Sequence, residues 1–389
     1  MSRKRDNLAV VLDGILVGLP PLPSSAPTIF RVDDDLRSPS SEHYEPKLIS
    51  IGPFHYGKAH LQKMEIHKLR YLKNLLKETR ESSVDRYIAA MRPLEKRARA
   101  CYLEGDLGDF TSDQFVLMML VDGCFVIEFL RKLFWVNLRE KDDPVFRYRG
   151  LLGKVQLDLI LLENQVPFFV LDKLFSMTID ESDDVTILFL IRFYAGCVSP
   201  WPIDFWDQDV AMEDVDHLLG LLHRLWCSSV TKLDDKKGEV EAVKSVSELK
   251  EFGIEFEKIK KTDCGLNIQF IDGVLKLPGV IFADVTERVF RNLIAYEHYF
   301  IEGRPRFVSN YIYFVRSLVS SSNDVKLLRD VCIVTSPFRN DEKISLMLES
   351  LSTNVYVTSY YSDICSKVIE HCDCEMDGDF EEGGQSNTS

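Results

Sequence analysis

A mainly helical, multi-helix globular body with a small β-hairpin in its C-terminal half is the fold class this chain predicts, and three observations carry the prediction. Apolar side chains recur at three-to-four-residue spacing through most of the sequence, as at Leu61, Met64, Leu69, Leu72 and Leu76, which is the period of one helix face. Strict alternation is confined to one stretch, where Leu266, Ile268 and Phe270 lead into Asp272-Gly273 and Val274, Leu275 and Leu277 follow. That pattern signals a hairpin, because an Asp-Gly turn between alternating apolar runs matches the twist of two antiparallel strands. Prolines at 93 and 167 cut the helical pattern into segments, since proline removes a backbone donor and clashes with the preceding turn.

Residues 1–28 read as a flexible N-terminal segment. Arg3, Lys4 and Arg5 precede an apolar run over 8–19 with the outline of a short secretory signal. Asp13 interrupts that run and no small-x-small cleavage site follows closely, so a docked helix or a frayed end is expected instead. The LPPLPSSAP stretch over 19–27 reads as an extended linker. A helical domain is then expected over 29–371.

Within it, helices are predicted over 61–77 and 84–102, the second broken at Pro93. Thr111 and Gln114 are spaced as a capping box for a helix from Ser112 to about residue 136, whose apolar residues surround most of its circumference and predict a buried centre. A helix over 151–162 should stop before Pro167 and continue in a new direction over 168–175. Further core helices are expected over 185–197 and 215–227, the latter capped by Asp214. The polar run VTKLDDKKGEVEAVKSVS over 230–247 predicts a mobile loop or a boundary between lobes. Beyond the hairpin, helices are expected over 286–299, 307–319, 324–331, 342–351 and 360–370. The final 20 residues hold seven acids and no Lys or Arg, so 372–389 reads as an acidic disordered tail.

Composition narrows the class. With 46% hydrophobic residues among 389, the chain can bury a large core without disulfides or metals. A net charge of −14, from 47 basic and 61 acidic residues, repels phosphate backbones and argues against nucleic acid as a partner. Nine widely separated cysteines suggest reduced thiols and hence a reducing compartment, cytoplasmic or peripheral to a membrane. The most apolar stretch, 115–130, carries Asp122 and Glu128, so no membrane span is expected.

Several segments together resemble the plant "domain of unknown function 247" family, also called uncharacterised protein family 0481. They are IFRVDDDLR at 29–37, ISIGPFHYG at 49–57, MEIHKLRYL at 64–72, MLVDGCFVIEFL at 119–130, DLILLENQVPFFVL at 158–171, HLLGLL at 217–222, SELKEFGIEF at 247–256 and IQFIDGVLKLPGVIFADVTERVFRNLIAYE at 268–297. The motif residues this resemblance singles out are Arg31, Gly52, Pro53, His55, Asp122, Gly123, Glu128, Glu163, Asn164, Gln165 and Pro167. Two departures bear on function. Tyr56 stands where members commonly have a second histidine, and this chain ends in an acidic tail where most members have a hydrophobic membrane helix, so anchorage is not carried over. The resemblance implies no established reaction and no cofactor. Through grass members encoded at self-incompatibility loci, it implies a pollen-side recognition role.

Carboxylates inside apolar segments are the sharpest chemical candidates, because a buried charge costs several kcal/mol unless paired. Asp122, Glu128, Asp158 and Glu163, with His55, would form the acid-base set of an undescribed enzyme or small-ligand receptor. On helical wheels Asp122 and Glu128 lie about 120° apart, and Asp158 and Glu163 about 140°; neither pair shares a face. A salt-bridge or capping network is therefore the favoured reading, with Arg131, Lys154 and helix-end amides available as partners. The Glu163-Asn164-Gln165-Val166-Pro167 corner can likewise satisfy a helix end or grip a polar ligand. His55, between glycines 52 and 57, reads as a packed side chain rather than a base or metal ligand. His371, Cys372 and Cys374 lack a second ligand pair at zinc spacing, and His217 and His223, six apart, lack chelating spacing.

No nucleotide-binding, serine-hydrolase, zincin or kinase signature is present in the sequence. A non-enzymatic interaction protein with an unidentified protein partner, docking through its body, the 230–247 loop or the tail, fits these observations best. The alternatives are the enzyme or receptor already described, and a shortened family member that has lost its function.

Overall fold

Helix Ser112–Phe134 is the axis about which the N-terminal half is arranged. Its start is the expected capping box, Thr111 accepting from the Gln114 amide while the Gln114 side chain accepts from the Thr111 amide. Nearly every residue from Phe115 to Leu133 is buried, as an apolar circumference requires. Helices Glu65–Glu78, Asp85–Met91, Phe168–Ser176 and Ile187–Val198 pack around it. Gly123 admits the approach of Phe168–Ser176, since a Cβ there would lie 2.5 Å from Leu174 Cδ1.

The computed structural model describes residues 6–18, 26–38, 40–103, 107–178, 185–202, 210–213, 215–227, 242–260, 264–300 and 304–383, with side chains to 374. Most of the 230–247 stretch, most of the 19–27 linker and the expected Asp214 cap lie outside these residues.

In the C-terminal half, Asp284–His298 packs against Phe307–Leu318, Asp341–Ser352 and Leu218–Cys227. One continuous apolar cluster runs through both halves, from Ile29 to Cys372. The fold is mainly α.

The hairpin forms between β2 (Gln269–Ile271) and β3 (Val274–Leu277), with Asp272 at φ 50° and Gly273 at φ 75°, the left-handed pair that a tight two-residue turn demands. It is not alone, however. β1 (Glu255–Lys258) pairs parallel with β3, giving the order β1-β3-β2, and β4 (Val280–Ile281) pairs parallel with β5 (Val334–Thr335). The hairpin is thus the core of a three-stranded sheet.

Two boundaries depart from the sequence expectations, and one break falls where expected. The helix expected over 151–162 is Arg149–Asp158, and residues 159–166 form an irregular corner instead. Over 84–102 the expected break at Pro93 is present as a short 3-10 turn, Arg92–Leu94, between helices Asp85–Met91 and Glu95–Arg99. The last helix, Ser362–Gly383, extends through most of the stretch read as a disordered tail. Burial of Ile364, Cys365, Val368 and Cys372 establishes its first turns, and propagation over Glu and Met costs little thereafter. At the other terminus, Asn7–Gly18 is helical.

Candidate functional site

Between the 3-10 turns Ser41–His43 and Gln62–Met64 the chain has no regular secondary structure, yet Ile49, Ile51 and Phe54 are buried. Buried amides in such a segment have neither water nor a ladder to bond, so acceptors must come from elsewhere. Two of the candidate carboxylates, Asp158 and Asp122, are among those acceptors.

Asp158, at the last position of its helix, takes the amide protons of Lys47 (2.9 Å), Leu48 (2.7 Å) and Ile49 (2.9 Å), and Arg288 Nη2 lies 3.2 Å from Oδ1. Burial holds this carboxyl above the ordinary range, with Arg288 and the three amides pulling the other way. Asn164 continues the series: Oδ1 accepts from the Ile51 amide at 2.7 Å, while Nδ2 donates to Ile49 O and Asp158 O. Asp122 Oδ2 accepts from Gly52 N at 2.8 Å, and its Oδ1 lies 2.7 Å from Lys68 Nζ. Lys68 is fully buried and also pairs with Glu65 at 2.8 Å. Burial alone would lower its ammonium, but Asp122 and Glu65 outweigh that and raise it.

Glu163 closes the clasp. Oε1 accepts from Val32 N at 2.7 Å and from Arg37 Nη2. His55 Nε2 lies 3.3 Å from Oε2, and His55 Nδ1 lies 3.7 Å from Glu45 Oε2. The imidazole is fully buried between two glutamates, neither ring nitrogen reaching hydrogen-bond geometry. Burial would raise the Glu163 carboxyl, but His55, the Val32 amide and Arg37 outweigh it and hold it below the ordinary range. Arg31 is part-exposed, its guanidinium over the Phe54 ring.

The turn that receives these bonds depends on Gly52, at φ 75°, where a Cβ would sit 2.3 Å from Gln165 O. Pro53 is buried beside it, whereas Tyr56 is exposed. Gln165 fastens the corner from the other side: Nε2 donates to Leu159 O (2.8 Å) and Leu161 O (2.7 Å), and Oε1 accepts from Leu219 N. Pro167 bridges to His217, and His217 itself is locked between Thr28 O and Gly220 N.

Asp158 and Asp122 therefore converge on the 47–52 segment, while Glu163 ties Val32 and Arg37 beside it, and each of the three carboxylates is engaged. The wheel angle between Asp158 and Glu163 has no bearing, because the helix ends at Asp158. Glu128 stands apart. Its Oε2 meets Arg131 Nη1 at 3.0 Å while Oε1 has no hydrogen-bond partner. Burial pushes it up to about 8, Arg131 pulling the other way.

Several buried polar residues were not legible as candidates. Lys132, fully buried, lies 2.5 Å from Glu140 and 3.3 Å from Asp143, over the Tyr71 ring. Asp143 also accepts from the Tyr71 hydroxyl at 2.8 Å. This group borders an open cleft of about 420 Å³ that none of the four carboxylates lines. Asp324 collects the amides and hydroxyls of Ser247 and Ser321 and fastens two helix starts together. Glu297 accepts from Val308 N, Ser309 N and Ser309 Oγ and lies 2.7 Å from His223 Nε2.

Cys227 Sγ is 3.8 Å from that same His223 nitrogen. A nucleophilic cysteine needs a base whose second nitrogen is held by the orienting acid. Here acid and thiol face one nitrogen, and burial drives the thiol well above its usual value, so the trio is not arranged for thiolate chemistry. Among the described residues no group of three or more His, Cys, Asp or Glu is placed to hold a metal ion, and no helix is long and apolar enough to cross a membrane. None of the nine cysteines forms a disulfide.

Fold and site together define a mainly helical protein in which the motif residues Asp122, Glu163, Asn164 and Gln165 bond buried backbone. The chain belongs to the DUF247 family, described as plant protein of unknown function, whose family model matches residues 29–379. It is similar to UPF0481 protein At3g47200 of Arabidopsis thaliana, 30% identical over 376 residues covering 88% of this chain and 76% of the relative. Putative UPF0481 protein At3g02645 of the same plant is 25% identical over 430 residues, covering 85% and 79%. No solved structure matches.

Proposed function

We propose that this protein is a non-enzymatic interaction factor whose helical body presents a recognition surface to another protein. The observation that carries this reading is the engagement of Asp122, Asp158 and Glu163 by amides and cations within a closed core. An acid-base pair must instead meet a substrate in a cleft with separated proton affinities. The intact fastenings also favour a working fold over a decayed one.

The test is recovery of tagged full-length protein from plant tissue under gentle conditions. A partner recovered reproducibly and in comparable amount supports the proposal; its repeated absence counts against it. One observation favours a second reading, a small-ligand receptor. The 420 Å³ cleft is lined by Arg70 and Lys73 together with Asp142 and Asp143, charges of both signs such as a zwitterion would meet. Thermal shifts with free amino acids as probes would separate the two readings, because the interaction factor predicts none.

A further inference from the structure

Helix Asn7–Gly18 contradicts the usual economy of a folded surface. Seven of its 12 residues are large apolar side chains left between 51% (Val10) and 88% (Val17) exposed, and Asp13 is its one charged residue. A contiguous exposed apolar element of this kind marks a docking surface.

Its geometry constrains what covers it. Leu8, Leu12 and Ile15 fall on one side of the helix, and Val10 and Val17 fall on the opposite side, about 140–220° round the axis. A groove on a partner protein, or a second copy of this helix, covers one stripe and leaves the other wet. Lipid surrounds. Twelve residues at about 1.5 Å rise reach about 18 Å, short of the ~30 Å hydrocarbon core, so the helix can enter one leaflet without crossing. Charge selects the leaflet: Arg3, Lys4 and Arg5 outnumber the single acid, Asp6, that separates them in sequence from the helix, and clustered cations are drawn to anionic headgroups.

The rest of the chain opposes that attraction. Removing those three charges from a net of −14 leaves −14 − 3 = −17. The nine residues LPPLPSSAP between helix and body can reach about 28 Å when extended, well beyond the ~8 Å over which charge is screened at physiological salt. The body can thus stand clear of the surface that the terminus enters.

From this juxtaposition the geometry points to helix Asn7–Gly18 as a lipid-seeking element that inserts shallowly into an anionic membrane surface. Flotation of the full chain with phosphatidylcholine vesicles, with and without phosphatidylserine, tests it. The chain should float with the anionic vesicles, and high salt should weaken that binding. Leu12→Asp/Ile15→Asp should abolish flotation, and Arg3→Ser/Lys4→Ser/Arg5→Ser should reduce it by at least about tenfold. Neither variant touches the core, so unchanged thermal unfolding accompanies both. Absent flotation, equal flotation with neutral vesicles, or flotation indifferent to Leu12→Asp/Ile15→Asp overturns the inference. A concentration-dependent dimer in light scattering that this double variant dissolves, without lipid binding, would also overturn it and assign the helix to a second copy.

Discussion

The Asp122 carboxylate and the Lys68 ammonium lie 2.7 Å apart with side-chain exposures of 2% and 0%, joining the central helix to helix Glu65–Glu78 inside the core. Removing one member of such a pair strands the other without water. Lys68→Met should therefore destabilise by about 3–5 kcal/mol. Lys68→Met/Asp122→Asn should recover part of that loss, since the amide oxygen still accepts from Gly52. Urea unfolding of both variants measures the difference; a double variant no better than the single one would refute the pairing argument.

Gly52 and Gly57 both adopt left-handed φ, 75° and 82°, but only Gly52 has a neighbour within 4 Å of a would-be Cβ. Gly57→Ala should cost about 1 kcal/mol of backbone strain. Gly52→Ala adds a collision with the Gln165 carbonyl and should cost at least about 2 kcal/mol more. Melting temperatures in the same buffer rank the two; equal losses would mean that the 49–57 turn can move away from the corner.

Glu128, pushed up to about 8 by burial, stays protonated in the fold across a range where the unfolded chain has released its proton. Its contribution to stability is therefore present below about pH 4.5 and lost as pH rises towards 8. Glu128→Gln cannot ionise, so its stability relative to wild type should improve from pH 5 to 8 by about 1–3 kcal/mol. Parallel stability curves for the two proteins would contradict this.

His217 has the opposite sign. Burial lowers its imidazole to about 4, so between about pH 6.5 and 4 the unfolded chain binds a proton that the fold refuses, and stability falls as pH falls. His217→Gln should shrink the loss seen on acidification by up to about 3 kcal/mol, read as the difference between unfolding midpoints at pH 7 and pH 4.5.

Local chemistry was legible in the sequence wherever it was self-contained. Thr111 with Gln114, Asp272 with Gly273, and Pro93 each specify their own turn within four residues, and the structure places helix start, hairpin and break there. β1 escaped notice because EFEK reads as a charged stretch and acquires its strand only by pairing with β3. The helix end at Asp158 was hidden for a related reason. Leu159 to Leu162 continue an apolar run, and what unwinds it is the demand of Leu162 N for Asn292 Oδ1 and of Asn164 for Ile49 and Ile51, which no local window contains. Lys68 carries no local sign of burial, because its partner lies 54 residues away. The capping reading of the carboxylates could be framed from apolar context alone, but which amides they serve could not.

Those separations have a kinetic meaning. Val32 waits for Glu163, 131 residues later; Lys47 waits for Asp158, 111 residues later; and the Glu45 carbonyl waits for Arg288, 243 residues later. As the chain leaves the ribosome, the backbone of residues 32 and 45–49 lacks these partners until the corner and then the helix Asp284–His298 have been made. Topology of that kind slows folding and leaves greasy residues such as Ile49 and Ile51 uncovered during synthesis, a window in which chaperones would have to shelter the nascent protein.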